Sequence, residues 1–209
     1  TTLIAHVPLL GGVYEITITA GRISLLQPTE RQTASYIGPA LFDIQVNGYG
    51  GRTCRIPSPD RVDALAYITQ LLRERGVGWW MPTITTAGAE DLHRAFSYCG
   101  RALDADKNTA DSIPGLHLEG PYISPVDGPR GAHLLEHVRP PDWGEVQRLN
   151  EACSGRIRLV TIAPEVEGAV PFIKACVASD IVVAMGHTNL DRDSLARAVD
   201  AGATLSTHL

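Results

Sequence analysis

The sequence predicts an α/β protein of the (β/α)8 TIM-barrel type, incomplete in this chain at about six of eight strands, with a small N-terminal β-rich segment. Three observations predict it. Strand-like and helix-like patterns alternate from about residue 39 to the last residue. The connections between them are short, which implies parallel strands joined by right-handed crossovers. Polar residues recur at the C-terminal ends of the strands, where a barrel gathers its functional groups on one face. An open doubly wound sheet is the competing architecture, but it concentrates its site at one switch point. No G-x-G-x-x-G follows the first strand of the alternating region, and no phosphate-cradling P-loop occurs.

Residues 1–38 read as the β-rich segment and 39–209 as the partial barrel. In the first, Val13–Thr19 alternates with Tyr14, Ile16 and Ile18 on one face, Ala20-Gly21 turns the chain, and Arg22–Leu26 returns. The barrel opens with a strand over Ala40–Val46 that stops at Asn47-Gly48. A helix is expected from about Pro59 to Arg75, with Val62, Leu65, Ile68, Leu71 and Leu72 as its apolar stripe, Ser58 as N-cap and Gly76 as its stop. Val77–Ile84 is a strand, and a helix from about Glu90 to Leu103 turns Leu92, Ala95, Phe96 and Cys99 inward. The strand Gly115–Glu119 ends abruptly at Gly120-Pro121. A helix over Asp142–Ala152 leads to the strand Arg158–Ile162, and one over Ala169–Ser179 to the strand Ile181–Met185. A last helix over Asp191–Ala201 precedes the strand Ala203–His208.

The composition narrows the function classes. Net charge is −5 with acids and bases interspersed, so no basic stripe suggests nucleic acid. Apolar runs are strand-sized, which argues against a membrane span, and Thr1-Thr-Leu-Ile-Ala lacks the pattern of a signal peptide. Cys54, Cys99, Cys153 and Cys176 form no C-x-x-C pair. Their scatter fits reduced thiols in a cytoplasmic protein better than a zinc knuckle or a disulfide framework.

The strand ends carry the chemistry. The first barrel strand offers Asp43, Gln45 and Asn47, the third His117 and Glu119, the fifth His187 and the sixth His208. One carboxylate and two imidazoles, Glu119, His187 and His208, suit a divalent metal, most readily zinc, with a position left open for water. Water bound to such a cation is acidic enough to act as a nucleophile near neutral pH. Each residue also has a plainer reading: a strand histidine is commonly a hydrogen-bonded structural residue, and Glu119 could cap a helix or pair with an arginine. The recurrence of metal-competent groups at three strand ends favours the metal.

Several motifs together resemble a known family. His117-Leu-Glu-Gly-Pro-Tyr122, Val160-Thr-Ile-Ala-Pro-Glu165, Met185-Gly-His-Thr188 and Gly202-Ala-Thr-Leu-Ser-Thr-His-Leu209 are similar to segments of the N-acetylglucosamine-6-phosphate deacetylases of the amidohydrolase superfamily. So are Phe42-Asp-Ile-Gln-Val-Asn-Gly48 and Met81-Pro-Thr-Ile-Thr-Thr86. The resemblance runs in order from about residue 38 to the end. It implies metal-dependent hydrolysis of N-acetylglucosamine 6-phosphate to glucosamine 6-phosphate and acetate. It places Glu119, His187 and His208 on the metal-ligand positions, and it implies that Ala132 and His133 of Gly131-Ala-His133 contact the sugar. His117 is left to support or packing. Gln45 and Asn47 stand where many amidohydrolases carry His-x-His, which favours one metal ion over two; iron, cobalt or manganese could replace zinc at such donors.

The family's general base is an aspartate on a later strand, and no aspartate of this chain matches that motif, so it is expected beyond residue 209. A complete barrel typically needs about 250 residues. The chain is therefore expected to be part of a longer protein or a truncated product, with little turnover by itself. The other readings are a deacylase of another amino sugar or amino acid, and a non-catalytic barrel that keeps the motifs without the base. The expected partner is a small amino-sugar phosphate, with no nucleic acid and no membrane, and the resemblance implies a homodimer when complete.

Overall fold

The computed structural model describes residues 1–54 and 63–208. They form two compact units, Thr1–Leu41 and Phe42–Leu209.

The first unit is an antiparallel sheet of β1 (Thr2–Val7), β2 (Gly12–Thr19) and β3 (Arg22–Pro28), in that order. The expected hairpin is β2–β3: Ala20 and Gly21 both take positive φ, 50° and 75°, the backbone of a tight two-residue turn whose twist matches its strands. Strand β1 was not expected. It pairs along its whole length with β2, from Thr2 opposite Thr17 to Val7 opposite Gly12.

The second unit holds a six-stranded sheet. Its strands are β4 (Leu41–Val46), β7 (Val77–Thr85), β8 (Leu116–Glu119), β9 (Ile157–Ile162), β10 (Val182–Met185) and β11 (Leu205–Ser206). Between β4 and β7 lies a two-stranded ribbon, β5 (Gly48–Tyr49) with β6 (Arg52–Thr53), which the sequence did not announce. Strand order follows chain order from one edge to the other, β4-β7-β8-β9-β10-β11. The pairs β7–β8, β8–β9, β9–β10 and β10–β11 are parallel. A doubly wound sheet reverses its order at a switch point; this one does not, as in a barrel wall.

The helices are α1 (Ala64–Arg73), α2 (Ala89–Ala105), the short α3 (Lys107–Ala110), α4 (Trp143–Ala152), α5 (Ala169–Ala178) and α6 (Arg192–Asp200). Each buries the stripe its spacing dictates. In α1 Leu65, Ile68 and Leu72 are buried and Leu71 is half-buried. Ser58, Val62 and the expected helix start near Pro59 lie outside the described residues. In α2 Leu92, Ala95, Phe96 and Cys99 all face the core, as expected. Helix α2 passes close to the end of α4 at Gly100, where a Cβ would lie 2.8 Å from the Cys153 Cα, so only glycine fits without a shift. Asp191 caps α6, its carboxylate accepting from the Ser194 amide at 2.7 Å. Strand β11 is shorter than the expected Ala203–His208, because only Leu205 and Ser206 ladder onto β10. The four cysteines are buried free thiols. Among the described residues no helix is long and apolar enough to cross a membrane.

Candidate metal centre

Glu119 closes β8, and Gly120, at φ 74°, turns the chain away immediately after it. The carboxylate is nearly inaccessible, at 1% relative exposure. A buried carboxylate must be paired or hydrogen-bonded, and the structure supplies three partners on one oxygen. Glu119 Oε1 accepts from Gln45 Nε2 at 2.8 Å, His187 Nε2 at 3.0 Å and His208 Nε2 at 3.1 Å.

These partners come from opposite edges of the sheet. Gln45 is on β4 and His208 follows β11. In a flat sheet the outer two of six strands would lie about 24 Å apart. Their side chains can meet at one oxygen only because the sheet curls strongly, the curvature of a barrel. Four of the strand-end residues named from the sequence, Gln45, Glu119, His187 and His208, therefore meet.

Both histidines have left-handed backbones, His187 at φ 51° and His208 at φ 58°. Such a conformation is unfavourable for a residue with a Cβ and persists where neighbours impose it, often at functional sites. His187 follows Gly186, and its carbonyl accepts from the Ser124 amide at 2.9 Å. Gly131, at φ 60°, lies over its ring, where a Cβ would come within 3.4 Å of it.

His133 joins the group from the long loop after β8. Its Nδ1 lies 2.6 Å from Thr86 Oγ1 and its Nε2 3.2 Å from His187 Nε2. Ligand atoms of Glu119, His133 and His187 lie within 4.8 Å of one another, close enough to hold one metal ion. The sequence reading gave His133 to the sugar; the geometry also brings it within reach of a metal. Ala132 and His133 line a cavity of about 310 Å³ together with Asn47, Glu119, His187 and His208. Thr86, which the sequence reading had only inside a motif, lines it too and holds the His133 ring. Among the described residues no aspartate lines this cavity. Asp43 lines a neighbouring cavity with Gln45, Asn47 and His208, and accepts from the Gln45 amide at 3.0 Å.

The electrostatics suit a cation. Burial alone would raise the Glu119 carboxyl, but the hydrogen bond from His187 and the neighbouring imidazoles outweigh it and hold the group down to about 2. The bond to Glu119 raises His187 in turn, against its burial. Burial pushes His117 down to about 4, so this ring is neutral near pH 7. The hydrogen bond from His187 contributes most to the depression of Glu119, and the charge that His117 takes on below about pH 4 adds to it. The donor set fits a divalent ion on chemical grounds: a carboxylate ionised near pH 7 faces two imidazole Nε2 atoms, which become ligands on releasing the protons they now share with it.

At the base of the loop that carries His133, Arg139 donates to Glu145 through Nη2 at 2.7 Å and Nε at 3.1 Å, and Tyr122 donates to the same carboxylate at 2.8 Å. This buried cluster ties both ends of the loop to α4.

No protein-family model matches the chain. Curated relatives do. The chain is 32% identical over 200 residues to N-acetylgalactosamine-6-phosphate deacetylase of Escherichia coli O157:H7, covering 93% of this chain and 51% of that one. It is 31% identical over 175 residues to N-acetylglucosamine-6-phosphate deacetylase of Bos taurus, covering 83% and 42%. Among solved structures it superposes on N-acetyl-D-glucosamine-6-phosphate deacetylase of Mycobacterium smegmatis with a TM-score of 0.79 and 34% identity, over 94% of this chain and 51% of that one. A variant of the mycobacterial enzyme has been solved in complex with N-acetyl-D-glucosamine-6-phosphate. The chain spans about half the length of the curated relatives it matches. Over that half, in sequence and in fold, it is similar to N-acetylgalactosamine-6-phosphate and N-acetylglucosamine-6-phosphate deacetylases.

Proposed function

We propose that the chain carries the metal-holding part of a hydrolase that converts N-acetylglucosamine 6-phosphate to glucosamine 6-phosphate and acetate. The observation that carries this reading is the convergence of Gln45, His187 and His208 on one oxygen of the buried Glu119. Glu119, His187 and His208 are the proposed ligands of a single divalent ion. Zinc is the first choice, and iron, cobalt or manganese suit the same N/O donors. When bound, such an ion polarises an amide carbonyl and makes a neighbouring water more acidic.

The chain's own residues supply the rest of the site. Ala132 and His133 face the cavity and contact the sugar in this reading, and Thr86 fixes the orientation of the His133 ring. A protonated His133 nitrogen would stabilise an oxyanion developing beside it. Gln45 orients the Glu119 carboxylate without bringing a second ion. In this reading the general base is an aspartate, and among the described residues none lines the cavity. In the same reading residues 1–38 are a small β-rich domain and 39–209 the barrel. The whole protein is a cytoplasmic homodimer in the same reading. The galactosamine epimer is the second substrate reading, favoured by the name of the E. coli relative.

The test uses the natural gene product, with metal content and acetate release measured on one sample and both epimers offered in parallel. The expected result is about one divalent ion per chain, acetate release from the glucosamine substrate, and loss of both in Glu119→Gln. Full metal content in Glu119→Gln would refute the ligand assignment. Metal without acetate release from either epimer would leave a non-catalytic metal-binding barrel.

A further inference from the structure

Beneath the candidate metal centre runs a line of four buried polar side chains that the proposed chemistry does not use. Thr83 on β7, His117 on β8, Thr161 on β9 and Thr207 after β11 are each at most 6% exposed. His117 Nδ1 lies 3.2 Å from Thr83 Oγ1, His117 Nε2 lies 2.7 Å from Thr161 Oγ1, and Thr161 Oγ1 lies 2.9 Å from Thr207 Oγ1. Thr83 donates its proton to the Met81 carbonyl at 3.3 Å.

One assignment of protons satisfies the whole line, with the Ile44 backbone a further partner of the His117 ring. Each hydroxyl has one proton to donate. Thr83 spends its own on Met81, so it accepts from His117 Nδ1–H. The neutral ring then accepts at Nε2 from Thr161, and Thr161 accepts from Thr207. One tautomer of a neutral histidine satisfies every member.

The line ends one residue before His208, and that residue needs an anchor. His208 combines a left-handed backbone, φ 58°, with a side chain that is 60% exposed. Apart from an edge-to-face contact with the His187 ring, centroids 5.0 Å apart, and its bond to Glu119, little holds its ring. Strand β11 contributes only Leu205 and Ser206 to the ladder. The aim of His208 therefore depends on Thr207, which is held twice: its amide donates to the Met185 carbonyl at 2.8 Å, and its hydroxyl joins the line. Gly186 makes room for it, since a Cβ there would lie 2.7 Å from Thr207 Cβ and 3.0 Å from Thr161 Cγ2.

We propose that His117 is a positioning residue that, through Thr161 and Thr207, aims His208 at Glu119. The effect on metal binding rests on the reading of His208 as a ligand; the aiming itself does not. Residues that orient metal ligands typically carry 10–100-fold in metal affinity.

The test uses the full 209-residue chain and two readouts. The first is the imidazole 15N spectrum of the metal-free protein, which reports whether His208 Nε2 is hydrogen-bonded. The second is titration with Co2+, followed by its visible absorption, which reports affinity and ligand geometry. In Thr207→Val and Thr161→Val the His208 signal should move toward that of a free imidazole while the His187 signal stays. Cobalt should bind about 10–100-fold more weakly, with an altered spectrum. Thr207→Ser, which restores the hydroxyl, should recover both. A merely structural loss would move His187 as well and would not be rescued by serine. Wild-type His208 signals in both valine variants would overturn the proposal, as would a His208 signal already free in the wild type. If the wild type binds no cobalt but the His208 signal still moves in the valine variants, the metal reading fails and the positioning role stands.

Discussion

Replacing Glu145 with alanine should destabilise the protein by about 3 kcal/mol, one of the larger effects open to a single residue. Glu145 is 5% exposed and accepts three hydrogen bonds, two from Arg139 and one from the fully buried Tyr122. Removing one partner of a buried ion pair costs about 3–5 kcal/mol, because the other charge is left without compensation. The lower end applies here for two reasons. The Arg139 side chain is 26% exposed and can recover some hydration. It also keeps the Ala87 and His137 carbonyls, at 3.0 and 2.7 Å, and Tyr122 can turn its one proton to the Asp142 carbonyl, 3.3 Å away. Glu145→Gln preserves shape and part of the hydrogen bonding, so its cost should be about 1–2 kcal/mol. Urea unfolding followed by circular dichroism measures both. With a slope of about 2 kcal/mol per molar, the midpoint of Glu145→Ala should fall by about 1.5 M at unchanged slope. In a double-mutant cycle with Arg139→Met the two costs should not add. A Glu145→Ala cost below about 1 kcal/mol, or strict additivity, would refute the claim that this cluster clasps the base of the loop.

Two further outcomes follow from buried titrating groups. His117 is held at about 4 against an ordinary 6.5, so the unfolded chain takes up this proton first as pH falls. Its contribution is whole above pH 6.5 and is lost between 6.5 and about 4, up to about 3 kcal/mol, and Glu119, held at about 2, extends the loss below pH 4.5. His187 has the opposite sign, but its raised value makes its contribution complete below pH 6.5, so it leaves that window clear. The melting temperature of metal-free protein should therefore fall steadily from pH 6.5 to 4, and a flat profile there would show that His117 is not buried as neutral imidazole. Burial pushes the Cys54 and Cys176 thiols up to about 12, and Cys99 and Cys153 also lie above their usual value. Ellman's reagent should find no fast thiol in the native protein and all four in urea; rapid native labelling would contradict the burial.

Much of the fold was legible in the sequence because its signals are local. A helix stripe such as Leu92, Ala95, Phe96 and Cys99 is dictated by the 3.6-residue period alone, and a hairpin such as β2–β3 by alternation around Ala20-Gly21. The strict alternation of strand and helix then left few topologies, and the polar residues at the strand ends marked the face to watch. What lacked a local signal was missed. Thr2–Val7 does not alternate and is a strand because β2 lies beside it, and Gly48–Tyr49 with Arg52–Thr53 is too short to show any period. The candidate site divides in the same way. Glu119, His187 and His208 could be named from residue type and position. Tertiary structure alone decided that Gln45, 74 residues away, would share an oxygen with them, and that His133 would come within 3.2 Å of His187. It also decided that His117 would span Thr83 and Thr161. Periodicity tells each side chain which face of its own element it occupies. Which residues meet across the barrel depends on register, on the curl of the sheet and on the path of one long loop, and those are set by all the strands together.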